Sequence, residues 1–531
     1  MYSSYSSLQQ SQLAAQGYYD TQSTYLLVYA PGRNTALRAT LADQLHRKFR
    51  LADTLGSALT EGVDGVLLVS EDVECMSTAL MCFAKALQDG ADYAVCNAVF
   101  GFGGATALYQ SRAHLAQNRC ALVSRPLLER CRAAAKDPEN VTELLALAAQ
   151  FCAHPVRIPQ ALLHYERDIC AEDAFSASGK RAFLMSHVLD MTGAPIVLVS
   201  AVPVLRSMGY EVVVLGPSDG GALQLFVDAG AAVITRPGIR ATPNLWGLAL
   251  CTDLVLVNTV VMARTVRALS GTAVPVLWWL HDAFAGYPHI AHQIPTKLAG
   301  NVRLYSVGHH AANAMHAVRP DFQIGQLIYG LPDYAAEDFP RCDLGYPADK
   351  PLFATVGSFE RRKGHDIFCA AIRLLPEEVR NKATFLFVGM AADKEMMDAV
   401  RSLTTDCPEN VFYCKRLSRD EIKNLMEQCT CLVCASRDDP MPTFVTEGLI
   451  FGKPSIVSEH TGTAGLITEG VDGFVYKDDD PDQLAKVLEH AILHPEQLAA
   501  MKADCRKMYE KYYSNEAYVA TLTRLVNEST D

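Results

Sequence analysis

The stretch SRDDPMPTFVTEGLIFGKPSIVSEHTG, residues 436–462, decides how the second half of the chain folds. It places Asp439 in a loop and Glu447 one turn into a predicted helix. Pro442 suits the beginning of that helix, because its fixed φ fits the first turn and its missing N–H is not needed there. The free N–H groups from Thr443 onward and the helix dipole then form an anion site. Since Glu447 can accept hydrogen bonds from sugar hydroxyls, these features together favour a nucleotide-sugar ligand.

A second loop upstream adds a cation. PLFATV, residues 351–356, reads as a buried strand that ends in Gly357-Ser358 and is followed by ERRKG, residues 360–364. Lys363 lies shortly after the strand end, where its ammonium group can approach a diphosphate as a point charge. The alternative interpretation of the RRK run is a solvated surface turn. Further apolar runs at 385–389, 411–414 and 431–436 alternate with helical patterns, which predicts a parallel sheet with helices on both faces.

The motif of residues 439–458 resembles the donor-site signature of glycosyltransferase family 4, whose members are retaining α/β enzymes of GT-B fold with two Rossmann-like domains. An acidic residue, seven further residues, a Glu and then G-K-P-S-I-V-S carry the resemblance. Asp439 stands where the family usually has Glu. Pro442 replaces the usual Gly, so the N–H groups of Thr443 and Phe444 would have to contact the phosphate instead.

The upstream loop resembles the G-R-x-x-x-x-K-G loop of the same family. Lys363 and Gly364 match it, whereas Ser358 replaces the common Arg, so one of two expected phosphate cations is missing. Arg361 and Arg362 both remain open as replacements.

Residues 181–334 resemble the partner domain of the family. In SHVLDMTGAP, residues 186–195, Gly193 matches the small residue that lets the donor diphosphate approach the backbone; a plain turn is the alternative. In PVLWWLHDAFAGY, residues 275–287, His281 matches a position near the reacting sugar; a satisfied histidine at a strand end is the alternative.

The resemblance implies a role for each of these residues. His281 and Asp439 would act in catalysis, and Lys363 with the start of the helix would bind the diphosphate. Glu447 would bind the ribose, and no metal or other cofactor is expected. The predicted donor-binding residues are Gly193, Ser358, Lys363, Asp439, Thr443, Phe444 and Glu447.

The N-terminal region resembles, more weakly, the later part of a glycosyltransferase family 2 domain of GT-A fold. GVLLV, residues 65–69, leads into Ser70-Glu71-Asp72, where that family has a metal-binding Asp-x-Asp. Ser70 takes the first Asp position, and hard metals need several carboxylate oxygens. We therefore expect an inactive, truncated GT-A-like domain that docks an acceptor or a second subunit. A second active transferase is the alternative.

The predicted order of domains follows from these segments. It comprises a flexible tail (1–23), the GT-A-like domain (24–168), a linker (169–182) and two Rossmann-like domains (183–340 and 341–531). The first of the two is on the acceptor side, and the second carries the nucleotide-sugar donor and the closing helices. Gly101, Gly103 and Gly104 are interpreted as a turn, because the rest of a dinucleotide fingerprint is missing.

The amino-acid composition limits which binding partners and which cellular compartment are expected for the protein. The 531 residues carry a net charge of −12, which argues against nucleic acid as a partner. No apolar run is long enough for a membrane span. Sixteen Cys without secreted-type spacing, and no signal peptide, indicate the cytoplasm, with peripheral contact at the inner face of the plasma membrane left open.

The expected function is sugar transfer to a glycan, lipid-linked or protein acceptor in bacterial surface polysaccharide or glycoprotein synthesis. Two alternatives stay open: a catalytically silent nucleotide-sugar-binding subunit that supports a partner transferase, and a GT-B hydrolase or epimerase. Homo-oligomer formation or binding of a partner subunit through the N-terminal domain also stays open.

Overall fold

The computed structural model describes residues 21–530 except 57, 60–61, 102–105, 178, 240–246, 348 and 478. Most of the predicted tail, together with Gly103 and Gly104, therefore lies outside the described residues. Contacts divide the chain into two units, residues 1–257 with 272–276 and residues 258–271 with 277–531. This division cuts the chain at other places than the domain limits inferred from sequence, which stay predictions.

The first unit is built on a mixed sheet whose strands are for the most part buried. Their order is β12-β9-β10-β11-β6-β5-β7-β3-β1-β2, with β8 beside β5 and β4 beside β8. The strands are β1 (Leu26–Tyr29), β2 (Phe49–Ala52), β3 (Gly65–Val69), β4 (Glu74–Cys75), β5 (Tyr93–Phe100), β6 (Thr106–Tyr109), β7 (Cys120–Ser124), β8 (Pro155–Tyr165), β9 (Lys180–Met185), β10 (Tyr210–Gly216), β11 (Ala232–Thr235) and β12 (Leu254–Asn258).

Helices cover this sheet and supply much of its core. They are α1 (Thr35–Leu41), α2 (Ala79–Gln88), α3 (Arg125–Ala134), α4 (Val141–Phe151), α5 (Ala171–Ala174), α6 (Gly193–Ser207) and α7 (Leu223–Asp228). Apolar side chains of α3 and α4, such as Leu128 and Leu144, pack into the same cluster as Leu68 of β3. Burial of such side chains stabilises the fold by about 1.5–3 kcal/mol each.

The region predicted as a separate GT-A-like domain shares one sheet with the strands that follow it. β6 pairs antiparallel with β11, with Ala107 opposite Thr235. In addition, α5 and the first residues of β9 lie inside the segment 169–182 that was predicted to be a linker. The N-terminal region is therefore joined to the first Rossmann-like strands by backbone hydrogen bonds as well as by covalent connection.

The second unit contains most of β13 (Val276–Leu280), the parallel pair β14 (Val302–Ser306) and β15 (Ile324–Gln326), and a six-stranded parallel sheet. The order in that sheet is β18-β17-β16-β19-β20-β21. Its strands are β16 (Leu352–Val356), β17 (Thr384–Val388), β18 (Val411–Cys414), β19 (Cys431–Cys434), β20 (Ser455–Ser458) and β21 (Gly473–Tyr476). Numbered along the chain this is the order 3-2-1-4-5-6, which defines a Rossmann sheet.

The helices of the second unit follow the strands in alternation. They are α8 (Ala263–Leu269), α9 (His309–His316), α10 (His365–Leu374), α11 (Glu377–Arg380), α12 (Lys394–Asp406), α13 (Arg419–Gln428), α14 (Thr443–Ile450), α15 (Pro481–Leu493), α16 (Pro495–Ala500), α17 (Lys502–Met508) and α18 (Asn515–Thr530). Among the described residues, no helix combines the length and the apolar character needed to cross a bilayer.

The sequence-based elements differ from the observed ones mainly at their ends. α14 begins at Thr443, so Pro442 is the residue that precedes the helix and not its first residue. β19 ends at Cys434, two residues earlier than predicted, because the chain turns into the loop that carries Asp439. Cys429, Cys431 and Cys434 are buried in this part of the second unit.

Candidate functional site

The candidate site lies at the switch point of the six-stranded sheet. β16 and β19 are parallel neighbours, and the strand order reverses between them. Ligands of open parallel sheets bind beyond the carboxyl ends of strands at such a point. Two loops begin there: the cationic loop, residues 357–364 after β16, and the acidic loop, residues 435–442 after β19. All contacts described below for these loops lie within the second unit.

The two loops touch closely at Gly364. This residue has a left-handed backbone with φ of 65°, and a Cβ added there would lie 1.8 Å from the carbonyl oxygen of Ala435. Only glycine fits such a position. The backbone of the cationic loop can therefore lie directly against the acidic loop, which brings their charged side chains together.

Lys363 and Asp439 form an ion pair across these loops. The Lys363 Nζ lies 2.6 Å from Asp439 Oδ2, and the side chains are only 17% and 5% exposed. The hydroxyl of Ser436 is 3.4 Å from the same carboxylate oxygen. The structure thus brings together two residues that the sequence placed in one donor site, and it gives the buried Asp439 carboxylate a cationic partner.

The beginning of α14 adds backbone N–H groups to this charged pair. Pro442 has φ of −69° and ψ of 107° and supplies no capping hydrogen bond from its side chain. Thr443 is exposed at the helix end, and Phe444 is buried. The N–H groups of a first turn have no partner within the helix, and they attract anions together with the helix dipole.

Glu447 lies one turn into α14 and is paired with an arginine that the sequence did not single out. Arg419, the first residue of α13, donates from Nη1 to Glu447 Oε1 over 2.7 Å. Burial raises the pKa of Glu447, and the charge and hydrogen bond of Arg419 oppose that rise. The Arg419 guanidinium also stacks over the ring of Tyr334, 4.4 Å from its centre. Ser418 and Glu421 form a capping box, which fixes where α13, and with it Arg419, begins.

Ser358, the residue in place of the missing cation, makes a local hydrogen bond. Its hydroxyl donates to Glu360 Oε1 over 2.7 Å. Arg362 donates to the same Glu360 oxygen over 3.0 Å and also lies 3.4 Å from the carbonyl oxygen of Asp438. Of the two arginines that the sequence left open, Arg362 is thus shown to reach the acidic loop.

His281 directly follows β13, and its ring packs 4.6 Å from that of Trp279. The next residue, Asp282, accepts a hydrogen bond from the N–H of Val260 over 2.6 Å. Burial raises the pKa of Asp282 to about 6. Sequence reasoning gave Asp282 no role, although it adjoins a candidate catalytic residue.

Gly193 is the first residue of α6, in the first unit. Its φ is not in the left-handed region, and an added Cβ would meet no atom within 4 Å. Neither backbone conformation nor local packing therefore requires glycine there. The suggested close approach of a ligand to Gly193 stays a prediction.

The acidic residues after β3 are bound to other parts of the first unit. Glu71 pairs with Arg167 at 2.6 Å. Asp72 accepts hydrogen bonds from the N–H groups at the start of α1, those of Thr35, Ala36 and Leu37. Desolvation alone would raise the pKa of Asp72, but these hydrogen bonds hold it below its usual value. Among the described residues, no three His, Cys, Asp or Glu side chains are grouped so as to hold a metal ion.

Comparison with known proteins agrees with this architecture. A solved Anabaena protein, Alr3699/HepE in complex with UDP, is similar in fold, with a TM-score of 0.55 and 18% identity over 66% of this chain and all of that one. The same protein has been solved with UDP-glucose. The likeness defines the fold class of this chain as GT-B, with two Rossmann-like domains.

Comparison with family models identifies the family within the GT-B fold class. One described as "Glycosyl-transferase family 4" matches residues 178–313, and one described as "Glycosyl transferases group 1" matches residues 338–508. Together they cover more than half of the chain, and the chain belongs to glycosyltransferase family 4.

Two curated glycosyltransferases are similar to part of the chain. An uncharacterized glycosyltransferase of Methanocaldococcus jannaschii is 25% identical over 33% of this chain. The D-inositol 3-phosphate glycosyltransferase of Xylanimonas cellulosilytica is 23% identical over 42% of it. The chain spans about half the length of these relatives, 48% and 52% respectively.

Proposed function

We propose that this chain transfers a sugar from a nucleotide-sugar donor to a glycan, lipid-linked or protein acceptor. The observation that carries the proposal is the buried Lys363–Asp439 pair beside the start of α14, with Glu447 one turn further on. A nucleotide sugar offers a diphosphate to the cation and N–H groups, a ribose to Glu447 and a hexose to Asp439. The binding of UDP and UDP-glucose by the structurally similar Anabaena protein supports this choice of donor class.

In this proposal the transfer retains the anomeric configuration of the donor. Lys363 and the N–H groups of Thr443 and Phe444 stabilise the negative charge that develops on the leaving diphosphate. Preorganised donors of this kind supply a large part of catalysis, since loss of one donor lowers turnover by about 10²–10³-fold. The diphosphate also helps to deprotonate the acceptor on the same face of the sugar, and His281 assists near the reacting centre. No metal is needed for these steps.

The family relation suggests a place for the reaction in synthesis of bacterial surface polysaccharide or glycoprotein, at the cytoplasmic side of the membrane. A second candidate function is that of a silent nucleotide-sugar-binding subunit. It is favoured by Ser358, which replaces a phosphate-binding cation and donates to Glu360. Turnover distinguishes the two candidates, because a silent subunit binds donors without releasing nucleotide. A hydrolase or epimerase would turn the donor over without any acceptor.

The test is a thermal-shift screen of the full chain against UDP, GDP, ADP, CMP and dTDP and their common sugars. It is run with and without EDTA, on the wild type, on Glu447→Ala and on Glu378→Ala, a control at an exposed glutamate of α11. A ligand that binds only the folded state at 100 times its Kd adds about 2.7 kcal/mol of stability.

We expect one nucleotide to raise the melting temperature in a dose-dependent way, with the added stability rising as the logarithm of its concentration above Kd. The shift should persist in EDTA and in Glu378→Ala and should disappear in Glu447→Ala. The absence of any shift in the wild type would refute the transferase proposal. A shift abolished by EDTA would point to a metal-dependent site and contradict the predicted metal independence.

A further inference from the structure

Asp438, the neighbour of Asp439 in the acidic loop, has a dense set of hydrogen bonds that the donor site does not explain. Its Oδ1 accepts from His310 Nε2 over 2.6 Å and from the N–H of Phe284 over 3.1 Å. Its Oδ2 accepts from the N–H of Ala285 over 2.9 Å. Desolvation opposes ionisation, but these donors, led by His310, hold the pKa of Asp438 below its usual value. The Asp438 carboxylate is thus a half-buried, ionised acceptor.

The two backbone donors belong to the loop that carries His281. Phe284 and Ala285 lie in a single 3₁₀ turn, Phe284–Gly286, shortly after the end of β13. The same loop is held at its other end, where Asp282 accepts from the N–H of Val260. The loop that carries His281 is therefore anchored at two points, and the second anchor is the acidic loop.

His310 supplies the third hydrogen bond from a further element, the first turn of α9. Its side chain is 6% exposed, and its ring lies 5.1 Å from that of Phe284. The centre of the His460 ring is 6.4 Å from that of His310, and His460 Nε2 lies 4.0 Å from Asp479 Oδ1.

The approach of α9 to the acidic loop is close in the backbone as well. A Cβ added at Gly308, just before α9, would lie 2.7 Å from Met441 Cε and 3.2 Å from the Pro440 carbonyl oxygen. Gly308 is extended, with φ of −177°, so it is the space, not the backbone conformation, that favours a small residue there. The start of α9 is therefore held against the acidic loop both by close packing at Gly308 and by the hydrogen bond from His310 to Asp438.

We propose that Asp438 and His310 are positioning residues that hold the His281 loop in register with the Lys363–Asp439 pair. This inference rests on the proposed function, because it assigns the pair a role in aligning the reacting groups. Neither residue needs to touch the donor. Adjacent positions in one loop thus have different tasks: Asp439 faces Lys363, and Asp438 fixes the loop that brings His281.

The proposal predicts a separation of binding from turnover. Loss of the Asp438 contacts leaves Lys363, Thr443 and Glu447 in place, so nucleotide affinity should change little. Turnover should fall by about 10–100-fold, because a displacement of about 1 Å in a reacting group can cost 10²-fold.

The test compares Asp438→Asn, His310→Ala and His310→Gln with the wild type. His316→Ala is the matched control, since His316 lies on the same helix and bonds to Phe322 O, away from the acidic loop. For each protein, nucleotide release is measured with the nucleotide sugar that gives the largest thermal shift, UDP-glucose being the first probe. Hydrogen–deuterium exchange of residues 276–287 is followed in parallel.

We expect Asp438→Asn and His310→Ala to lower kcat by about 10–100-fold, with the KM for the donor within about threefold. Exchange at Phe284 and Ala285 should become faster in Asp438→Asn. His310→Gln should recover most of kcat, because its amide can donate to Asp438, and His316→Ala should match the wild type.

Unchanged exchange, a raised KM with normal kcat, or a His310→Gln variant as slow as His310→Ala would each overturn the proposal. A wild type that binds no nucleotide would instead refute the proposed function. In that case the exchange result alone decides whether Asp438 anchors the loop.

Discussion

Acidic residues follow the carboxyl ends of two strands, β3 (the first edge) and β19 (the second edge), and their surroundings differ. After β3, Asp72 binds the N–H groups of α1 and Glu71 binds Arg167. After β19, Asp439 binds the flexible ammonium group of Lys363, next to a helix start whose preceding residue, Pro442, offers no side-chain cap. At the first edge the carboxylates complete the fold. At the second edge they lie beside a cation and N–H groups that a phosphate can contact.

The comparison shows that acidic residues at a strand end do not by themselves define a site. The N–H groups at the start of α1 are already satisfied by the Asp72 carboxylate. An anionic ligand would have to displace the protein's own Asp72 carboxylate from these N–H groups. At α14 no side chain of the preceding residue takes that place. A helix start preceded by a residue without a capping side chain suits an anionic ligand.

The largest effect is expected from Lys363→Ala. Removal of the ammonium group takes away the cation for the leaving diphosphate and leaves Asp439, 5% exposed, without its ionic partner. Nucleotide release should fall by about 10²–10³-fold. Steady-state kinetics with the donor found by thermal shift measure this effect.

Lys394→Ala, in the first turn of α12, serves as the control for Lys363→Ala and should keep normal turnover. If Lys363→Ala retained full turnover, the switch point would not be the place where the diphosphate binds, and the contrast between the two strand edges would disappear.

Asp72→Ala should have a smaller effect, confined to stability. It deprives the start of α1 of an anionic acceptor for three N–H groups, and loss of such a cap costs about 1–2 kcal/mol. Denaturant unfolding should report this loss, with nucleotide affinity unchanged. Asp89→Ala, which removes the partner of Lys85 on the surface, provides the control. Loss of nucleotide binding in Asp72→Ala would show that the first edge is a ligand site after all.

Much of the Rossmann sheet could be predicted because its strands are short apolar runs that end in Gly or Ser. The strand at β16, the apolar run 431–436 and the placing of Lys363 and Asp439 at one switch point follow from local sequence and the rule for such points. The ion pair between Lys363 and Asp439 was not predicted. GT-B fold and family membership, inferred from residues 439–458, are confirmed by the comparisons.

Contacts between residues far apart in sequence were not predictable. Asp438 meets His310 across 128 positions, and Asp72 meets α1 across more than 30. Neither contact produces a periodic pattern or a fixed spacing in the sequence, since the two partners lie on separate elements. The pairing of β6 with β11 was missed for the same reason. The segment 169–182, predicted to be a linker, contains α5 and the first residues of β9.

The smallest expected effect concerns pH and tests whether Glu447 acts as an ionised acceptor. Burial raises the pKa of Glu447, and Arg419 counteracts the rise. Because sugar hydroxyls donate to the ionised carboxylate, nucleotide affinity should fall as pH drops through this pKa. Arg419→Met removes the counteracting charge, so the loss of affinity should begin at a higher pH than in the wild type.

Calorimetric titration of the nucleotide from pH 5 to 8 measures this shift. Arg416→Met, at an exposed arginine shortly before α13, is the control and should follow the wild-type curve. Glu447→Gln should bind more weakly than the wild type at pH values where Glu447 is ionised, and it should lose this dependence, since its amide does not titrate. An Arg419→Met curve that coincides with the wild type would mean that Arg419 does not set the charge of Glu447. Its pairing at 2.7 Å would then serve only to pack α13 against α14.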